Sequence, residues 1–326
     1  MRRFLVTGGS GFIGSNFVRF LLREQKDVHV INLDKLTYAG NPENLKDVEK
    51  SSQYRFVHGD ICDVRLVRSL MGQVDWVVHF ASETHVDRSI DSAQDFVRTN
   101  VLGTQILLEA VLESYRIERF IHFSTDEVYG STVKGSFHEE SPFQPTSPYA
   151  ASKASADLLA QSYIKTHRLP VIILRGCNNF GPCQYPEKAI PLFITNLLEG
   201  KKIPLYSRGE NTREWIYVED TCRAILFICE RGRVGEAYNV GSDFELKNIA
   251  LVKMILEFMK QDEDQVAYVK DRLAHDFRYR LNSDKIKSLG FNLAGKFENQ
   301  LKSTIEWYRQ HERWWKRLKK DQYTLK

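Results

Sequence analysis

Two carboxylates stand side by side where a buried strand should end. Residues 119–130 read RFIHFSTDEVYG: an apolar run of strand character reaches Ser124 and Thr125, and Asp126 and Glu127 follow at once. In a dry cleft two adjacent acids cannot both ionise cheaply, so one keeps its proton and serves as an acid while the other serves as a base. Consecutive strand residues face opposite ways. Both can therefore reach one substrate only if the chain leaves strand conformation by Asp126.

A second pair lies in YAASK, which puts Tyr149 and Lys153 at i and i+4 on one helix face. A phenol loses its proton near pH 10 in water, about three units too high for a general base, and a close cation lowers that value. Near the start of the chain, VTGGSGFIG sets Gly8, Gly11 and Gly14 between a strand and a helix. Without side chains the backbone turns tightly and approaches a pyrophosphate, whose charge then meets the helix N-terminal amides. The spacing is GxxGxxG, a variant of the dinucleotide fingerprint. Asp34 ends INLDK, twenty residues after Gly14. An acid there accepts from the ribose hydroxyls and repels a 2′-phosphate, so it selects NAD over NADP, although Lys35 beside it weakens that exclusion.

These groups need a frame. The first half alternates apolar runs (RFLVTGG, VHVINLD, YRFVHGD, DWVVHFA, RFIHFST, PVIILRG) with helical stretches at about 12–23, 93–115 and 149–166. This is the pattern of an α/β chain with a doubly wound parallel Rossmann sheet. The second half mixes proline-punctuated loops (FGPCQYPEKAIP), short strands (IPLY, REWIYV) and helices at about 220–229, 246–260 and 297–320. It reads as a smaller mixed α/β substrate-binding domain capping the sheet's C-terminal edge. The expected division is 1–175 plus about 212–240 for the NAD-binding domain, and about 176–211 plus 241–326 for the cap.

The helix around 93–115 is apolar nearly all round, which requires cover on both sides. Either the cap or a second subunit supplies it. The expected homodimer would use the helices around 94–115 and 149–166.

Bulk properties narrow the field. Lys+Arg of 46 against Asp+Glu of 42 leaves +4 over 326 residues, which argues against a nucleic-acid partner. The five cysteines, at 62, 177, 183, 222 and 229, show no CxxC or His-rich motif. They read as reduced thiols of a cytoplasmic protein, and no metal site is expected. The apolar run after Met1 spans only Phe4–Val6, so neither a signal peptide nor a membrane span is expected. Around HERWWKRLKK (311–320), Trp314 and Trp315 within it and Trp307 and Tyr308 just before it read as helix residues packing on the cap while the lysines reach solvent.

Together TGGSGFIG, Asp34, STDEVYG and YAASK resemble the extended short-chain dehydrogenases/reductases that act on nucleotide sugars, and among them the dTDP-glucose 4,6-dehydratase family. The resemblance runs over nearly the whole chain, through ETHVDRS, NNFGPCQYPEKAIPLF, GENTREWIYVED and DRLAHDFRY. STDEVYG discriminates most, because 4-epimerases and decarboxylases of this superfamily lack the Asp-Glu pair. The resemblance implies that Tyr149, tuned by Lys153, takes the proton of the sugar 4-hydroxyl as hydride passes from C4 to NAD, with Thr125 at the C4 oxygen. Glu127 then abstracts the C5 proton, protonated Asp126 delivers a proton to the departing 6-hydroxyl, hydride returns to C6 and a proton returns to C5.

It also implies cofactor contacts at Gly8, Gly11, Phe12, Ile13, Gly14, Asp34, Lys35, Thr37, Asp60, Ile61, Ala81, Thr99, Tyr149, Lys153 and Asn178, with Asp60 at the adenine amino group. Substrate contacts fall on Ser82, His85, Thr125, Asn179, Lys188, Pro204, Tyr206, Arg213, Asn248, Arg272 and His275. For His85 a structural hydrogen bond and a substrate contact are both open. The family string DRPGHDRRY appears here with Leu273-Ala274 and Phe277. That departure leaves dTDP-glucose open against UDP-glucose or UDP-N-acetylglucosamine; a nucleotide-sugar 4-epimerase is the rival activity.

Overall fold

A computed structural model of the chain describes residues 1–270 and 276–320. The expected contacts at Arg272 and His275, with Leu273-Ala274, lie outside the described residues. Among the described residues twelve strands run in chain order: β1 (Arg2–Thr7), β2 (Val28–Asp34), β3 (Tyr54–His58), β4 (Trp76–His79), β5 (Arg119–Thr125), β6 (Val171–Gly176), β7 (Asn178–Phe180), β8 (Ile203–Tyr206), β9 (Thr212–Tyr217), β10 (Ala237–Val240), β11 (Glu245–Lys247) and β12 (Val266–Val269). Seven form one sheet in the order β10-β6-β5-β4-β1-β2-β3. Every pairing in it is parallel.

The central strands read as near-continuous apolar runs because both of their faces are covered. Leu5, Val77, Phe120 and Ile173 point to one side, into a core shared with Val67, Leu107, Val111 and Ala160. Phe4, Val6, Val78, Ile121 and Ile172 point to the other, into a core with Phe17, Leu21, Ile225 and Ile228. Strand order reverses between β1 and β4, and the crevice at such a reversal is where doubly wound sheets take ligands.

Two smaller sheets stand apart from the seven-stranded one: β11-β9-β7 and β12-β8. They share a third core that includes Phe193, Ile255, Leu301, Tyr308 and Trp315. As expected, Tyr308 and Trp315 are fully buried there, with Trp307 and Trp314 packed against them. Among the described residues no helix is long and apolar enough to cross a membrane.

Two expected helices are interrupted. Instead of one helix over 93–115, the chain forms a turn at Gln94–Phe96, a π-helical segment at Val97–Gly103 and an α-helix at Thr104–Ser114. The expected helix over 297–320 breaks at His311 into Phe297–Gln310 and Glu312–Lys320. Neither interruption coincides with a Gly-Pro breaker. The helix Val64–Met71 was not anticipated, although Asp63 caps it by accepting from the amides of Arg65 and Leu66 at 3.0 and 3.1 Å.

Candidate active site

The chain leaves strand conformation where the chemistry requires. β5 ends at Thr125, and Asp126–Tyr129 form a single 3-10 turn. Thr125 caps it: its hydroxyl accepts from the Glu127 amide at 3.3 Å and donates to Asp126 Oδ1 at 3.2 Å. The far end is bolted down, since the Tyr129 hydroxyl donates to Asn239 Oδ1 at 2.9 Å and accepts from Arg175 at 2.7 Å. Both acids consequently line one cavity with Tyr149 and Lys153.

Asp126 is 3% exposed, and its Oδ2 has no hydrogen-bond partner among the described residues. Burial pushes its carboxyl well above the usual range, and the charges of Glu127 and Glu214 push the same way, against Thr125 and Arg213. That environment favours its protonated form. Glu127 is half-buried on the same turn.

Tyr149 enters on the helix Pro148–His167, whose N-cap Ser147 accepts from the Ala150 amide at 3.1 Å. Ser89 accepts from the Tyr149 amide at 3.1 Å, which fixes the first turn from the other side. The expected lowering of the phenol by Lys153 is not produced by this chain's own charges. Burial and Glu127 raise the phenol's pKa, against a hydrogen bond with Thr125. Lys153 donates to the Phe123 carbonyl at 2.8 Å. Its own pKa is pulled down to about 8 by burial, with Asp157 opposing.

The cavity, about 310 Å³, extends from these groups to the glycine turn and is lined by all fifteen expected cofactor positions. The residues fit a dinucleotide. Gly8 has φ +71°, and a Cβ there would sit 2.6 Å from the Ala81 amide nitrogen. Gly11 caps the helix Phe12–Glu24 with no side chain, and no acid occupies the first turn, so its amides are left for a diphosphate. Asp34 accepts from the Ser10 and Leu36 amides, each at 2.8 Å, and burial raises its carboxyl against those two bonds. Ser124 Oγ and Asn178 Oδ1 are buried without partners among the described residues. Lys35 pairs with Asp60 at 2.9 Å, so its charge is not left to attract a 2′-phosphate.

The expected substrate positions divide. Ser82, Thr125, Asn179 and Lys188 line the cavity. His85 does not; it caps the helix Val86–Asp91, accepting from the Arg88 amide at 3.3 Å, and faces Glu187 at 3.5 Å. Arg213 is 6% exposed, donates to the carbonyls of Thr212 and Asp276 at 2.8 and 2.9 Å, and lies over the Tyr279 ring. Pro204 and Tyr206 on β8, and Asn248 at the start of the helix Asn248–Met259, stand outside the cavity lining.

Several lining or supporting residues were not anticipated. Glu187 accepts from the Tyr38 hydroxyl at 2.9 Å, joining the cap side to the loop after β2. Asn100, buried in the π-helical segment, donates to the Glu83 carbonyl and the Ser152 hydroxyl and accepts from the Glu83 amide. Its partners lie far off in sequence; only the adjacency of Glu187 to Lys188 could have flagged the first case.

The family model described as GDP-mannose 4,6 dehydratase matches residues 5–304. A dTDP-glucose 4,6-dehydratase of Streptomyces niveus is 51% identical over 322 residues, covering 97% of this chain and 96% of that protein. The crystal structure of DesIV, a dTDP-glucose 4,6-dehydratase of Streptomyces venezuelae with NAD and thymidine diphosphate bound, superposes with TM-score 0.94 at 49% identity. It covers 97% of this chain and 99% of that one. A UDP-glucose 4-epimerase of Thermotoga maritima superposes with TM-score 0.87 at 29% identity, covering 94% and 99%.

Proposed function

The chain belongs to the dTDP-glucose 4,6-dehydratase family, and from that premise we propose that Asp126 and Glu127 divide the elimination between them as acid and base. The enzyme is an NAD-dependent hydro-lyase that converts dTDP-glucose to dTDP-4-keto-6-deoxyglucose. NAD, held by the glycine turn and Asp34, supplies a reversible hydride acceptor. Tyr149 takes the proton of the 4-hydroxyl, with Thr125 hydrogen-bonding the same oxygen. The C4 ketone acidifies C5–H. Glu127 removes that proton, Asp126 gives its own to the departing 6-hydroxyl, and Glu127 returns a proton to C5 as C6 regains the hydride.

The observation that carries the division is the buried Oδ2 of Asp126, without a partner among the described residues, in the cavity that also holds Glu127 and Tyr149. Burial and the neighbouring carboxylates raise the Asp126 carboxyl, the direction an acid catalyst needs. A 4-epimerase has no task for either acid. Purified protein incubated with dTDP-glucose, UDP-glucose and UDP-N-acetylglucosamine, followed by mass spectrometry, tests the reading. Loss of water from dTDP-glucose is expected. Absence of a dehydrated product from all three would overturn it.

We also propose a homodimer through the adjacent helical stretches around 94–115 and 149–166. Val97, Leu102 and Leu158 lie on these segments at 54%, 42% and 55% exposure, an apolar surface that a second copy would cover. A cytoplasmic location accords with five free cysteines, four of them buried.

A further inference from the structure

The last helix makes a contact that neither the reaction nor the expected cofactor residues use. Glu312–Lys320 is rooted in the cap: buried Trp315 donates its indole N–H to the Tyr308 carbonyl at 2.8 Å, and the Tyr185 hydroxyl donates to the Leu318 carbonyl at 3.2 Å. It also reaches across to the dinucleotide-binding sheet. The Trp314 indole N–H donates to Asn44 Oδ1 at 2.9 Å. Asn44 is 2% exposed, and its Nδ2 donates to the Ser10 carbonyl at 3.0 Å. That carbonyl also accepts the Asn41 amide at 3.0 Å, tying the loop after β2 to the glycine turn. The Ser10 amide donates to Asp34 Oδ2 at 2.8 Å.

A continuous path of hydrogen bonds therefore leads from a cap side chain to the acid at the ribose end of the cavity. The neighbouring Arg317–Glu43 pair is exposed on both sides and contributes little. Trp314–Asn44 is the part-buried and directional link.

We propose that Trp314 is a positioning residue for the adenosine half of the cofactor, setting Asp34 through Asn44 and Ser10, so that the cap slows release of NAD. The inference rests on the NAD-dependent reading above. That chemistry returns the cofactor to its starting oxidation state each turn, so retention costs no turnover.

Trp314→Phe keeps a ring against Trp307 and Tyr308 and deletes the N–H. Calorimetric titration with NAD, ADP-ribose and dTDP, together with the thermal midpoint, gives the test. Affinity for NAD and ADP-ribose should fall about fivefold, the worth of one net hydrogen bond, while dTDP affinity holds. In an Asn44→Ala background the same substitution should add nothing, because the path is already cut. Unchanged NAD affinity, or a loss shared equally by dTDP, overturns the proposal. Should Trp314→Phe fail to fold, Asn44→Asp keeps the acceptor for Trp314 and removes the donor to Ser10; unchanged NAD affinity in that variant is equally fatal. A protein that binds NAD yet dehydrates no nucleotide sugar fails the reaction reading and leaves the affinity comparison intact.

Discussion

Asp126 trades stability for function in a way that pH exposes. Its folded pKa lies above the unfolded value, so the carboxyl costs nothing below about pH 4, where it is neutral in both states. As pH rises the unfolded chain ionises freely and the folded one does not, and stability is lost. Asp126→Asn should therefore raise Tm at pH 8 by about 2–4 °C for each kcal/mol recovered, with no gain at pH 4, while dehydration collapses. Scanning calorimetry at the two pH values checks this. Glu127→Gln should lower turnover on dTDP-glucose by about 10²–10⁴ and abolish solvent deuterium entry at C5, read by mass spectrometry. A true epimerase would keep its rate. Lys153 adds a basic limb: its ammonium discharges near pH 8, so kcat/KM should fall above that value. Asp157→Asn removes a charge opposing that discharge and should move the fall to lower pH.

The elements show why some of this was readable and some was not. The glycine turn, Asp34 and the break at Asp126 are local: backbone geometry and a few residues of spacing determine them. Tyr149 follows from one helix face, and its cap is local too. Ser147→Ala should cost about 1 kcal/mol in urea unfolding and lower kcat more than it raises KM, since the frayed turn carries the phenol. Arg213, by contrast, reads in sequence as a solvated surface charge, and only the family resemblance implies a diphosphate contact for it. In the fold its guanidinium meets the carbonyls of Thr212 and Asp276 and the face of Tyr279, partners chosen by packing across the cap. The π-helical segment at Val97–Gly103 leaves no periodic signal, because a stretch apolar nearly all round has no single stripe for an inserted residue to shift. The Tyr38–Glu187 bond joins loops from opposite halves, and no window of sequence contains it.

At the scale of the molecule, the reversal between β1 and β4 and the seven parallel strands follow from alternating apolar runs and helices; the three-residue strands β7 and β11 are too short to announce themselves. The exposed apolar side chains of the two adjoining helical segments make the proposed dimer checkable. Leu158→Glu should convert it to a particle of 37.9 kDa by sedimentation, leaving the fold intact by circular dichroism. One contact spans nearly the whole chain: Trp314 and Asn44 are 270 residues apart. Chains emerge from the ribosome N-terminus first and fold domain by domain. The strands, the glycine turn and Asp34 are thus all synthesised while the carboxamide of Asn44 still lacks its partner. A cavity whose walls are written early in this sequence gains a hydrogen-bonded support some 270 residues later.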